Sequence, residues 1–490
     1  MQSCFIMWKI PYPQSGRSFL PPGADGLQKA FMRYELVIVL AGYLCLFAVL
    51  GTSLPMDFDS TSYALAISAD FDIAKQQPHP PGNLFYVALA RLASLAIGNP
   101  LRTIELLNIA FLSVLLLVLM RSRGRTPLDL LFAASMPLFL FLCCAPEVYG
   151  VSVGIGAVLA FLIAKMREGT VRPVVVASAF FIGTGLRQDT FLFMGPVTAV
   201  ALLLSRSSFK QWLLFAAIGC CVTAAWYFPT QWFSTASAST AAEFKKGYMP
   251  FLSTFSVFFG APPFENARVA LRFWIYALGV LGPGGLAFLF SKSLRFARAD
   301  ALILLAAAVP LFLYGTFVYI GYPYHYASVL GFALAWSLGK NGLRLPRAVA
   351  AAGIAANVAF FLFVPPPVYK GDTFARRPLA QSVLKQASYV GANGLGMLAE
   401  ARRFGSFVDT ILSKYGCFSQ LDCVEWNGMG NDRGWRYLSR RRWHNTFVER
   451  PDSALASECA KIYYADRHPE ETPDARFKNI GVSFPGAPLP

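Results

Sequence analysis

Apolar residues run through most of this chain in long blocks, separated by short polar segments. Blocks at 36–54, 103–120, 128–144 and 302–320 approach the roughly 18–20 residues that a helix needs to cross a bilayer. Extended along the chain, the pattern predicts about eleven transmembrane helices. They lie near 35–54, 103–120, 128–145, 148–165, 172–186, 190–205, 211–229, 270–290, 301–320, 324–339 and 347–364.

The polar segments set an orientation. Lys29/Arg33, Arg121/Arg123/Arg125, Lys165/Arg167/Arg172, Arg206/Lys210, Lys292/Arg295/Arg298 and Lys340/Arg344/Arg347 fall in alternate loops. Cytoplasmic loops collect Lys and Arg, so these loops are expected inside, with the N-terminus inside and the C-terminus outside. Segment 84–97 then does not span. It is short, Arg91 stands in its middle, and a helix lying in the outer interface suits both facts. Letting it span would carry Arg121 to Arg125 outside.

Composition agrees with this reading. Of 490 residues, 55% are hydrophobic and 14% charged, and mean hydropathy is +0.47. A soluble domain carries more charge and less apolar content. The expected fold class is an all-α polytopic membrane protein. The net charge of +16 rests largely in the short loops, with no nucleic-acid motif beside it, so no nucleic-acid partner is expected.

Residues 1–33 read as a polar, basic cytoplasmic tail, disordered through about residue 30, with no cleavable signal peptide. Residues 34–364 read as the membrane domain, with a first outer loop at 55–102. Residues 365–490, where no segment is apolar enough to span, read as a small extracytoplasmic region. Within it, 379–401 and 403–415 have helical patterns. In an oxidising compartment Cys417 would pair with Cys423, or Cys459 with one of them.

Polar features gather at the predicted outer ends of the spans. Asp57 and Asp59 follow the first span and read either as a helix cap or as a carboxylate general base. Asp59 precedes a helix-like run at 60–69, which Asp70 and Asp72 would terminate. His79-Pro80-Pro81-Gly82 is a rigid turn opening segment 84–97, where His79 would contact substrate phosphate or cap the turn. Arg187, with Gln188 and Asp189, would either snorkel to headgroups or clamp a phosphate. Glu147 would orient Arg187 or act as a second acid, and Tyr149 would join it or the aromatic belt. Tyr324 and His325 read as interfacial aromatics or as sugar and phosphate contacts. Walker, dinucleotide and zinc-protease motifs are absent, and the four histidines are too scattered to predict a metal site.

The acidic residue after the first span, then Gln77-Pro78-His79-Pro80-Pro81-Gly82-Asn83 opening an interfacial helix, resembles the protein O-mannosyltransferase-like (family 39) members of the GT-C glycosyltransferases. Pro146-Glu147-Val148-Tyr149 and Gly185-Leu186-Arg187-Gln188-Asp189 are similar to motifs of its bacterial relatives. The resemblance covers residues 35–340. It implies a GT-C-type bundle with interfacial helices in the first outer loop. It implies a polyprenyl-phosphate-linked sugar as donor, transfer with inversion on the outer face of a bacterial inner membrane, and Asp59 as base, with Asp57 second.

The family's Asp-Glu pair is Asp-Phe-Asp here, and its His-Pro-Pro-Leu-Gly is His-Pro-Pro-Gly-Asn. These departures favour a glycan or lipid acceptor over a protein. No cofactor is expected, and a monophosphate leaving group would make a divalent metal dispensable. A transporter or flippase for a lipid-linked substrate is the alternative; it would place polar residues deep in the spans and leave weak internal repeats.

Overall fold

The computed structural model describes residues 24–52, 58–68, 71–73, 78, 82–121, 127–205, 207–233, 252–253, 256–290, 297–318, 326–340, 345–363, 394–396, 398–399, 402 and four short strands between 422 and 483. Among the described residues its membrane part is built of helices and short connections. In chain order the helices are α1 (Ala24–Leu50), α2 (Phe58–Ser68), α3 (Leu84–Ile97), α4 (Pro100–Met120), α5 (Pro127–Ala134), α6 (Pro137–Leu142) and α7 (Gly150–Arg167). Then come α8 (Pro173–Leu186), α9 (Asp189–Leu204), α10 (Phe209–Trp232), α11 (Pro263–Leu281), α12 (Arg298–Leu313), α13 (Ala327–Leu334) and α14 (Arg347–Phe363).

Each of the eleven expected spans overlaps described helix, the one at 128–145 as two short helices. Pro100–Met120, Gly150–Arg167, Phe209–Trp232 and Arg298–Val318 are individually long and apolar enough to cross a membrane. The boundaries differ most from the sequence reading in two places. Helix α1 reaches back to Ala24, into the segment read as disordered tail, and α11 begins at Pro263 rather than near 270.

Helix α7 is the centre of the bundle and packs on α4, α8 and α13. Glycines allow the closest of these approaches. A Cβ on Gly156 would run into the Ser328 carbonyl, and one on Gly331 into the Val153 carbonyl. Lipid supplies no hydrophobic drive between helices, so such close backbone packing substitutes for it. Helices α10 and α12 instead turn large apolar side chains outward, among them Leu213, Phe228, Trp232, Leu302 and Phe312.

Two spans are broken inside the bundle, one between α5 and α6 and one at Gly282, beyond which 283–290 continues as a 3-10 helix. Asn357 of α14 joins the breaks. Its Oδ1 accepts from the Gly284 N–H at 2.8 Å, and its Nδ2 donates to Ser135 Oγ at 3.3 Å. Broken backbone survives at membrane depth only where protein groups satisfy it, and Asn357 does so here.

The tail adds β structure that the apolar pattern did not predict. Strands β1 (Asp422–Asn427), β2 (Thr446–Val448), β3 (Lys461–Asp466) and β4 (Ile480–Ser483) form one sheet in the order β2-β1-β3-β4. β1 is parallel to β2 and β3, and β4 is antiparallel to β3. The expected helices at 379–401 and 403–415, and Cys417 and Cys459, lie wholly or largely outside the described residues.

Candidate active site

Arg187 and Asp189 sit in the turn between α8 and α9. Arg187 leaves α8 in extended conformation (φ −151°), and Asp189 opens α9, where the helix dipole favours a carboxylate. Arg187 Nε and Nη2 each lie 3.1 Å from Asp189 Oδ2. The guanidinium also stacks 4.4 Å from the centroid of the Tyr149 ring, a favourable cation–π geometry. Arg187 is only 5% exposed and Tyr149 1%. Neither the headgroup-snorkelling reading of Arg187 nor the aromatic-belt reading of Tyr149 fits that burial. Burial alone would lower the arginine's pKa; Asp189, then Tyr149 and Tyr63, override it and hold the guanidinium above its usual value.

The turn carrying Glu147 and Tyr149 is fixed by Asn108, a fully buried residue of α4. The two N–H donors of Asn108 Nδ2 are shared among the carbonyls of Leu142 (3.1 Å), Ala145 (3.2 Å) and Glu147 (2.6 Å), and its Oδ1 accepts from the Gly150 N–H at 3.1 Å. A Cβ at Gly150 would stand 2.7 Å from the Asn108 backbone, so the glycine permits the bracket. Glu147 is buried, and its carboxylate acts on the phenol of Tyr86 in α3. Burial and the neighbouring Tyr63 push that phenol well above its usual pKa; Glu147 adds to the effect and Arg187 opposes it. Tyr86, Tyr63, Glu147 and Arg187 are therefore one neighbourhood.

The first loop closes against the same turn. Asp59 is the second residue of α2, and Tyr63 follows one helical turn later on the same face. The Asn83 side chain donates to the Tyr63 hydroxyl, and Tyr63 meets Tyr86 edge-on, ring centroids 5.8 Å apart. Asn83 also exchanges hydrogen bonds with Gln188. Phe85 lies over Gly185, where any Cβ would strike the ring. Arg91, the cation that argued against a spanning helix at 84–97, donates from Nε and Nη2 to the Ala66 carbonyl at 2.8 and 2.6 Å. It thereby caps the C-terminal end of α2, where orphan carbonyls favour a cation. Helix α2 ends at Ser68, and Asp72 beyond it is completely buried, while Asp70 lies outside the described residues.

At its root the loop is clamped to α4. The Thr52 N–H donates to Glu105 Oε1 at 3.1 Å, while Arg102 bonds the Phe47 carbonyl at 3.2 Å and pairs with Glu105 at 3.6 Å. From the tail, Arg402 reaches the Val49 carbonyl at 3.1 Å, and Leu398 is buried.

Of the expected site residues, Arg187, Gln188, Asp189, Glu147 and Tyr149 come together. Asp59 is placed by its backbone, and Asp57, His79, Tyr324 and His325 lie outside the described residues. Tyr326, next to the latter pair, packs on Phe193 (5.0 Å), Phe273 (4.7 Å) and Tyr314 (6.2 Å). Phe193 is one turn along α9 from Asp189, so the Tyr326 cluster adjoins the site. Sequence reading missed Tyr63, Asn83, Tyr86 and Asn108. The first three stand inside the motif-bearing loop, whereas nothing near Asn108 sets it apart from other residues of its span. Among the described residues no three His, Cys, Asp or Glu side chains converge to hold a metal ion.

The described residues define a polytopic membrane protein whose membrane part is helical. The chain is similar to two crystal structures of ArnT from Cupriavidus metallidurans. One, bound to undecaprenyl phosphate, has 12% identity and a TM-score of 0.50, over 88% of this chain and 92% of that one. The other, in the apo state, has 13% identity and a TM-score of 0.50, over 88% and 87%. At this identity the likeness speaks for the fold. It agrees with the fold that the resemblance implied and does not favour the O-mannosyltransferase-like branch. No family model and no curated relative matches the chain.

Proposed function

We propose that this protein is a membrane glycosyltransferase that moves a sugar from a polyprenyl-phosphate carrier to an envelope hydroxyl, with inversion, outside the cytoplasmic membrane. One observation supports the reading. A buried arginine–carboxylate turn adjoins Tyr63 of α2, the helix whose first turn contains Asp59, on a fold similar to that of a structure bound to undecaprenyl phosphate.

In this reading the acceptor hydroxyl gives its proton to the Asp59 carboxylate as its oxygen bonds to the anomeric carbon. On the opposite face the bond from that carbon to the phosphate oxygen breaks, and its electron pair leaves with the polyprenyl phosphate. Arg187 supplies fixed positive charge where negative charge develops. Asp189 neutralises part of that charge, so the turn offers a directed guanidinium rather than a large positive field. That suits a monophosphate, which needs less compensation than a diphosphate. Asp57 is the second candidate base, and His79, Gln188, Glu147, Tyr149, Tyr324 and His325 are assigned to substrate binding. The positive-inside pattern supports a periplasmic site.

The test compares envelope glycans and lipids by mass spectrometry in a deletion strain, the same strain with wild type, and one with Asp59→Asn. A sugar mass that returns with wild type but not with well-expressed Asp59→Asn supports the assignment. Full restoration by Asp59→Asn removes Asp59 as base, and no mass change on deletion removes the transferase reading.

A further inference from the structure

At the end of the bundle away from the candidate active site, a cavity of about 190 Å³ lies between α4 and α7. Val114, Leu117, Val118, Val158 and Phe161 line it with Arg121. These side chains are half-buried or exposed, so the groove faces the surrounding membrane. Two cations flank its one aromatic ring. The Arg121 guanidinium and the Lys165 ammonium each stand 6.0 Å from the Phe161 centroid. Glu168 lies 2.7 Å from Lys165 and offsets part of that charge.

Helix α4 has 21 residues and ends at Met120, so Arg121 falls at headgroup depth when α4 crosses the membrane. From Val114 to Arg121 the groove runs about 10 Å inward from that depth. Cations at helix C-termini are ordinary. That explains each charge singly and leaves unexplained the apolar channel between them.

We propose that this groove holds one acyl chain of an anionic phospholipid, with the lipid phosphate between Arg121 and Lys165. The apolar lining selects little by itself, because bulk lipid is equally apolar. Selection comes from the headgroup, where two basic residues favour an anionic lipid by on the order of tenfold. The site is independent of the transferase reading and lies at the other end of α4.

Native mass spectrometry of the purified full chain tests it with phosphatidylglycerol, phosphatidylcholine and undecaprenyl phosphate as probes. Wild type should retain phosphatidylglycerol on the order of tenfold over phosphatidylcholine. Arg121→Gln/Lys165→Gln should abolish that preference, and Val118→Trp, which fills the groove, should remove the adduct with both charges intact. Equal retention of the two phospholipids by wild type overturns the proposal. So does a preference untouched by the charge variant, or an undecaprenyl phosphate adduct that alone is lost in Val118→Trp. Should Val118→Trp fail to fold, the exposed charge variant decides.

Discussion

Asn83 and Gln188, 105 positions apart in sequence, each donate a backbone N–H to the other's side-chain oxygen, at 3.3 and 3.2 Å. Asn83 is also the one described non-glycine residue with positive φ (43°). A short polar side chain tolerates that left-handed backbone, and a strained residue of this kind marks a position that its surroundings fix. The joint ties the loop carrying Asp59 to the turn carrying Arg187.

Substitutions at Asn83 separate backbone from side chain. Asn83→Gly keeps the left-handed backbone and its N–H bond to Gln188 but loses the two side-chain bonds, from the Gln188 N–H and to Tyr63, for an expected cost of about 1–3 kcal/mol. Asn83→Val loses the same bonds and adds strain of about 1–3 kcal/mol. Thermal unfolding in detergent should rank wild type above Gly and Gly above Val. Equal melting temperatures for wild type and Asn83→Gly would remove the joint from the argument.

The Arg187–Asp189 pair should behave as a unit. Breaking a buried pair by removing one partner costs about 3–5 kcal/mol, because the other charge stays buried. Arg187→Ala and Asp189→Ala should each destabilise strongly, and the double variant by less than the sum of the two. Arg187→Lys should not restore function, since an ammonium cannot reproduce the fork on Asp189 and the stack on Tyr149. A double-mutant cycle with zero coupling would contradict this.

Asn108 predicts a defect felt at a distance. Asn108→Leu removes the two N–H donors shared by the carbonyls of the 142–150 turn and the acceptor of the Gly150 N–H, at about 1–3 kcal/mol for each buried group left unsatisfied. Gly150→Ala should weaken the same turn by overpacking, at about 1–3 kcal/mol. Proteolysis and melting should reveal both, together with lower transfer activity. A stable, fully active Asn108→Leu protein would show that the turn holds itself.

Arg91→Ala tests the placement of α2. The Ala66 carbonyl loses a charge-assisted donor, and α2 loses its tie to α3. Turnover should fall severalfold at saturating donor, with donor affinity nearly unchanged, because the base moves while the Arg187 turn stays. A change confined to donor affinity would place α2 against the donor instead.

The spans, their number and the gathering of polar motifs were legible along the chain for one physical reason. A bilayer demands about 20 apolar residues per crossing, and that demand is local in sequence. The fold class and the Arg187–Asp189 turn followed from it. The breaks beside Asn357 had local signals in Ser135-Met136-Pro137 and Gly282-Pro283-Gly284-Gly285, masked by the apolar blocks around them.

Tertiary structure alone decided the partners. Asn108 reads as one polar residue in an apolar helix, Arg91 as an interfacial charge, and Tyr149 as a site residue or belt aromatic; folding makes them a bracket, a cap and the floor under a buried arginine. Such roles depend on which groups lie beside one another across the bundle. Hydropathy records only how each residue partitions between water and lipid, and carries no term for its neighbour.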